Sequence, residues 1–99
     1  MPFPQGNSFA LSANSVRAHA PNSSGVYGIF NRSQWIYVGE SSDIQRRLLA
    51  HLEDTEAYLK RFSPTGFSFE LQPEASREAR RDALILELPV QYNQHGPNP

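Results

Sequence analysis

Apolar side chains change their spacing several times along this chain, and each change marks an element. Val26 to Phe30 and Trp35 to Val38 are short runs rich in aromatic and β-branched residues, which suit a pleated surface, and Asn31-Arg32-Ser33 between them reads as a turn. A β-hairpin is expected there. Ile44, Leu48 and Leu52 then recur at four-residue steps, the period of one helical face, with Arg47 and His51 forming a second stripe at its border. This helix should begin near Ser42, because Ser42-Asp43-Ile44-Gln45 has the form of a capping box. Asp54 to Phe62 reads as a further short helical piece, closed by the turn cluster Ser63-Pro64-Thr65-Gly66. Gly66 to Leu71 alternates apolar with small or polar residues, the mark of a half-buried third strand. A last helix is expected from about Pro73 to Leu88, where Pro89 stops it, with Ala75, Ala79, Ala83 and Leu86 as its inner face.

The first 22 residues are rich in Pro, Asn, Ser and Ala and predict a partly ordered lead-in with a short helix around Leu11 to His19, ended by Pro21. One domain over residues 23–94 follows, and 95–99 form a tail. The element order gives an α+β fold, a three-stranded, mainly antiparallel sheet flanked by helices.

Tyr27 and Tyr37 carry the most specific signal. They lie ten residues apart, and strand side chains alternate with period two, so a hairpin centred on Arg32 sets both phenols on one face and directly opposite each other. That arrangement calls for a loop of three or five residues, in which Asn31 tolerates a left-handed backbone, whereas a four-residue loop would separate the rings. The two strings Gly25-Val26-Tyr27 and Tyr37-Val38-Gly39 lead straight into the helix that bears Arg47 and His51. In that order they resemble the GIY-YIG nuclease superfamily. Arg47 stands ten residues beyond Tyr37, at the family's helical arginine, and His51 fills a further position that is often histidine. Leu84-Ile85, Pro89 and Asn93 look like the family's closing helix and terminal asparagine, so the resemblance runs over about residues 24 to 93. Gly39 reads as a backbone device, since a residue without Cβ permits the turn out of the strand and the close approach of a partner. Asn93 is expected to fix the chain end through side-chain to backbone bonds. Trp35 and Phe30 are expected to pack the hairpin rather than stack on bases.

Composition narrows the setting. Ninety-nine residues suffice for one modest core, and the absence of cysteine excludes disulfides and thiolate metal sites and suits a reducing compartment. No apolar stretch reaches the length of a membrane span, and Met1-Pro2-Phe3-Pro4-Gln5 lacks the order of a signal peptide, so a cytoplasmic protein is expected. Nine Lys and Arg against ten Asp and Glu leave a net charge of -1. Any phosphate-binding face must therefore be local, drawn from Arg46-Arg47, Lys60-Arg61 and the group Arg77, Arg80 and Arg81, unless these are ordinary solvated helix surface.

The resemblance implies hydrolysis of a DNA phosphodiester with one bound divalent ion, Mg2+ or Mn2+. Such a reaction needs a carboxylate for the metal, a group that orients or deprotonates water, and a cation for charge growing on the phosphate. By resemblance Tyr27 and Tyr37 take the water role, Arg47 the phosphate role, and His51 a bond to a phosphate or a tyrosine hydroxyl. The family's metal-binding glutamate has no counterpart at its usual place: counting back from Asn93 reaches Arg81, and counting from Pro89 reaches Arg80. Asp82, Glu78 and Glu74 are the nearest acids, and Glu78, about 4.5 Å along the helix axis from Arg81, is the candidate ligand or else a surface partner of Arg81. Arg46, Arg47, Arg77 and Arg81 are the candidate DNA contacts. Three readings stay open: an endonuclease directed by DNA structure, branched or damaged as in repair; a domain of this family that binds nucleic acid or protein without cleaving; and an interaction module unrelated to nucleic acid.

Overall fold

A computed structural model describes residues 8–53 and 63–88. Their elements are β1 (Ser8–Ala10), α1 (Ala13–His19), β2 (Gly25–Phe30), β3 (Trp35–Ser41), α2 (Ile44–Glu53), β4 (Gly66–Leu71) and α3 (Glu74–Glu87). The expected helical piece over 54–62 with Lys60 and Arg61, and Pro89, Asn93 and the tail, lie outside the described residues. The α+β architecture with an antiparallel sheet is as expected, but the sheet has four strands rather than three, in the order β1-β4-β2-β3. The added strand pairs Ser8 with Ser68, Phe9 with Phe67 and Ala10 with Gly66. Three residues are too few to display a period-two pattern, so β1 exists because of what it meets. Ser8 Oγ and Ser68 Oγ lie 2.8 Å apart, and the Phe9 ring stacks 4.2 Å from that of His19 and 5.6 Å from that of Phe67.

The hairpin departs from the odd loop. Phe30 pairs with Trp35 across the four residues 31–34, where Asn31 Oδ1 accepts the amides of Ser33 at 2.8 Å and Gln34 at 2.9 Å and so folds the turn with its own side chain. Register then shifts, because Ile29 pairs with Tyr37 and leaves Ile36 as an extra residue on β3. This bulge turns Ile36 and Tyr37 to the same side, which restores to one face the two tyrosines that a four-residue loop alone would have separated. The rings are diagonal rather than opposite: Tyr27 faces Gly39, and Tyr37 faces Ile29.

Each sheet face has its own cover. On one, Tyr27, Ile29, Ile36 and Phe67 pack with Val16 and Ala20 from the α1 region and with Ile44 and Leu48 of α2, and Leu52 adds to the border of that stripe. On the other, Val26 and Val38 meet Leu84 and Leu88, flanked by Trp35 and Ile85. Trp35 also meets Phe30 edge-on at 5.2 Å, the expected hairpin packing.

Two local expectations are corrected. α2 starts at Ile44, not Ser42: Asp43 is the cap, its carboxylate accepting the Arg46 amide at 3.0 Å, and the Gln45 amide reaches the Ala20 carbonyl at 2.9 Å instead of bonding back to the cap. The inner face of α3 is not the alanine stripe. Ala75, Ala79 and Ala83 are exposed, and Leu86 is 88% exposed. Leu84, Ile85 and Leu88 face the sheet, together with the stems of Arg77 and Arg80, because the strand positions beneath α3 include Glu40 and Glu70, whose charges call for guanidinium partners.

Candidate active site

Tyr27 is fully buried at the centre of the sheet, and the residue facing it sets how its ring lies. A Cβ on Gly39 would stand 2.6 Å from the Tyr27 hydroxyl oxygen, 2.7 Å from its Cζ and 2.8 Å from Tyr37 Cε2. Only glycine therefore lets the Tyr27 ring lie across β3 with Tyr37 beside it, their centroids 6.0 Å apart at 44°. α2 completes the group. Its start is held by the Asp43 cap, by Asn22 bonding the same carboxylate at 3.1 Å, and by Gln45 anchored to Ala20. One turn apart on α2, Arg47 and His51 then face the tyrosine pair. His51 Nε2 lies 2.8 Å from the Tyr27 hydroxyl, and its ring centroid is 5.6 Å from that of Tyr27 and 5.3 Å from that of Tyr37.

Burial, reinforced by neighbouring Tyr37, pushes the Tyr27 phenol far above its ordinary range, and the Arg47 guanidinium opposes this by charge and hydrogen bonding. Tyr27 is therefore a neutral phenol at working pH. Its oxygen is shared between the Arg47 guanidinium and His51 Nε2. Arg47 is in turn held protonated, by Tyr27 first and then by Tyr37 and Glu40, while remaining on the surface. Beyond Arg47 opens a cleft of ≈ 310 Å³ lined by Ser41, Ser42, Asp43, Arg46, Arg47 and Ala50. A buried phenol, a half-buried phenol, an imidazole and an exposed guanidinium thus converge beside a polar cleft, an arrangement that can hold an anion and move a proton near it.

Of the residues expected at the site, Tyr27, Tyr37, Arg47 and His51 come together. Arg46 joins them as an exposed wall of the cleft. Glu78 is elsewhere: its side chain is 80% exposed on α3, 3.6 Å from Arg81, the surface pairing that the spacing allowed. Arg81 also lies 3.0 Å from Asp82. Arg77 bonds Glu40 at 2.7 Å and Ser24 Oγ at 3.2 Å, and Arg80 grips both oxygens of Glu70, at 2.9 and 3.0 Å. Sequence reasoning passed over Glu40 and the serines of the cleft. The available signal was position, since Glu40 follows Gly39 directly.

Among the described residues no group of three or more His, Cys, Asp or Glu side chains is placed to hold a metal ion. Magnesium asks for less, since it keeps several waters and takes one or two carboxylates together with phosphate oxygens. Beside Arg47 the cleft offers oxygen donors of the kind such a cation takes, the Asp43 carboxylate and the hydroxyls of Ser41 and Ser42, and on that ground the residues fit, whereas Glu40 faces α3 with Arg77.

Residues 23–88 match the family model described as the GIY-YIG catalytic domain. UvrABC system protein C of Hydrogenobaculum sp. (strain Y04AAS1) is 36% identical over 69 residues, which cover 70% of this chain and only 12% of that protein's length. Among solved structures, the GIY-YIG N-terminal endonuclease domain of UvrC from Thermotoga maritima, bound to its catalytic divalent cation, magnesium, has a TM-score of 0.68 at 23% identity, covering 79% of this chain and 94% of that one. A point mutant of the same domain, also bound to its catalytic divalent cation, has a TM-score of 0.67 at 22% identity over 78% of this chain and 92% of that one. The structural likeness establishes the shared fold. The family match spans both tyrosine strands, α2, β4 and α3, and by it the chain belongs to the GIY-YIG family.

Proposed function

We propose that this domain is a divalent-metal-dependent endonuclease that hydrolyses DNA phosphodiester bonds in the cytoplasm and selects branched or damaged DNA by structure rather than by sequence. The observation that carries the reading is the convergence of Tyr27, Tyr37 and His51 with Arg47, which itself lines the cleft. Arg47 donates to a non-bridging oxygen of the scissile phosphate, where a planar guanidinium can bond twice. Tyr37, half-buried, is the phenol that meets water. Tyr27, kept protonated by burial, holds the His51 imidazole in place rather than acting as base itself. Bound Mg2+ or Mn2+ would supply a Lewis acid that offsets phosphate charge and lowers the pKa of a water. The divalent cation in the related Thermotoga maritima domain supports this choice. Selection by structure rather than by sequence is supported by Arg46 and Arg47 on the cleft wall, guanidinium groups suited to phosphates, which carry no sequence information.

The second reading, binding without cleavage, is favoured by one observation: Arg80 and Arg81 occupy the places at which the family carries its glutamate, and Arg80 is committed to Glu70. A cleavage assay on linear, flapped and branched DNA with Mg2+ or Mn2+ separates the two. Metal-dependent nicking, strongest on the branched substrates and lost in Arg47→Ala, is the expected result. Absence of cleavage on every substrate by folded protein that still binds DNA would replace the nuclease reading with the second.

A further inference from the structure

The first turn of α2 is closed by the protein itself. The Ile44 amide bonds the Ser23 carbonyl at 3.1 Å, the Gln45 amide bonds the Pro21 carbonyl at 3.0 Å, the Arg46 amide bonds Asp43 Oδ1 at 3.0 Å, and the Arg47 amide bonds the Asp43 carbonyl at 3.1 Å. The amides that a helix start otherwise offers to an anion are therefore taken, and a phosphate in the cleft rests on the Arg46 and Arg47 side chains. Asp43 lines that same cleft. It precedes Arg46 by three residues and Arg47 by four, the spacings at which an acid and a base pair along a helix. Yet among the described residues no ion pair joins Asp43 to either arginine.

Two side-chain amides hold the carboxylate instead. Asn22 Nδ2 donates to Asp43 Oδ1 at 3.1 Å and Oδ2 at 3.4 Å, and to Gln45 Oε1 at 3.4 Å. Gln45 Nε2 donates in turn to the carbonyls of Ala20 at 2.9 Å and Arg17 at 3.4 Å, which turns its oxygen toward Asn22. From this arrangement we infer that Asn22 is a positioning residue of the phosphate site: it holds the Asp43 carboxylate on the helix cap and off the guanidinium groups of Arg46 and Arg47, which leaves both cations to an outside phosphate. The inference rests on the DNA-cleaving reading above and adds to it how the positive charge of the cleft is kept available. An acid released from Asn22 remains a neighbour of both arginines, and any pair it then makes must be broken before a phosphate binds. The bonds of Asn22 are exposed to solvent, so the effect has the scale of a surface ion pair. Asn22 lies in the segment between α1 and β2, so no pattern within α2 reports it.

A double-mutant cycle on DNA affinity tests this without reference to cleavage. Binding of a labelled flapped DNA to the whole chain is measured in EDTA, so that no divalent ion contributes, for wild type, Asn22→Ala, Asp43→Asn and the double variant, each with a native melting curve. With Asp43 in place, Asn22→Ala should weaken binding about two- to fivefold. In the Asp43→Asn background the same change should leave affinity unaltered, because no charge is then left to turn on the arginines. Asparagine is itself a capping residue, so a merely structural role of Asn22 would weaken binding equally in both backgrounds. That result would overturn the inference, as would an unaltered affinity in Asn22→Ala. The guanidinium Nε–H signals of Arg46 and Arg47, followed by NMR without DNA, give a second readout: Asn22→Ala should shift them when Asp43 is present and not in the Asp43→Asn background. Signals that ignore Asn22→Ala overturn the inference whatever DNA does. Wild type that binds no DNA while its arginine signals respond as stated would sink the nuclease reading and leave the role of Asn22 standing.

Discussion

The two faces of one sheet treat their cations differently. Under α3, each arginine that points inward is met by a carboxylate on a strand, Arg77 by Glu40 and Arg80 by Glu70. On the α2 face, polar groups converge on a buried phenol, and Arg47 makes no ion pair among the described residues, having Tyr27 and Tyr37 as its main neighbours. A guanidinium already matched by a carboxylate gains little from a phosphate, because binding must first give up the internal pair. One whose neighbours are neutral phenols keeps its charge for an outside anion. The local environment of each arginine, more than the net charge of -1, therefore indicates where DNA should be held.

The contrast can be broken from either side. The largest effect is expected at the packing that seats α3: Leu84→Ala, at a fully buried position against Val26 and Val38, should cost about 2–5 kcal/mol of stability in urea unfolding. Next comes Gly39→Ala, where the new methyl meets both tyrosine rings, with an expected cost of about 1–3 kcal/mol and a loss of cleavage that exceeds the loss of folded protein. Tyr27→Phe removes the bond to His51, worth about 1 kcal/mol at neutral pH, and changes the alkaline limb. The folded Tyr27 phenol is raised above its unfolded value of about 10, so its contribution is fully present below that pH and is lost as pH rises through the folded value. Urea midpoints from about pH 8 to about pH 11 should accordingly fall less steeply in Tyr27→Phe than in wild type. Leu86→Ser should move the midpoint least, within about 0.5 kcal/mol, since that leucine is 88% exposed. A loss at Leu86 comparable to that at Leu84 would mean that the wrong side of α3 has been assigned to the sheet.

How much of this the sequence carried depended on how local the cause was. The tyrosine strands, the Arg47–His51 stripe and the strand Gly66–Leu71 are set by near neighbours and appear where the spacing put them, although that strand is central rather than half-buried, with Ser68 buried and Leu71 exposed. The bulge at Ile36 was hidden because it depends on Asn31 closing a four-residue turn with its own side chain, and the same-face outcome was right although the loop length was not. β1 was hidden by its length. The alanine stripe of α3 misled because Ala75, Ala79 and Ala83 have the same helical period as the face that really packs. What decides between the two is the pairing of Arg77 and Arg80 with acids 37 and 10 residues earlier in the chain, and no local pattern reports such partners. Glu40 belongs to the same class, since its place under α3, opposite Val26 and against Arg77, is evident only once β2 and β3 are in register.

The most direct test of the difference between the faces is single-turnover cleavage of a flapped DNA with Mn2+ by wild type, Arg47→Ala and Arg80→Ala, each checked for a native melting curve. Arg47→Ala should lose about 10²–10³ in rate, as expected for removal of a donor to developing phosphate charge, while folded Arg80→Ala cleaves within a few-fold of wild type. Equal losses in the two variants, or a greater loss in Arg80→Ala, would contradict the assignment of phosphate to the tyrosine face.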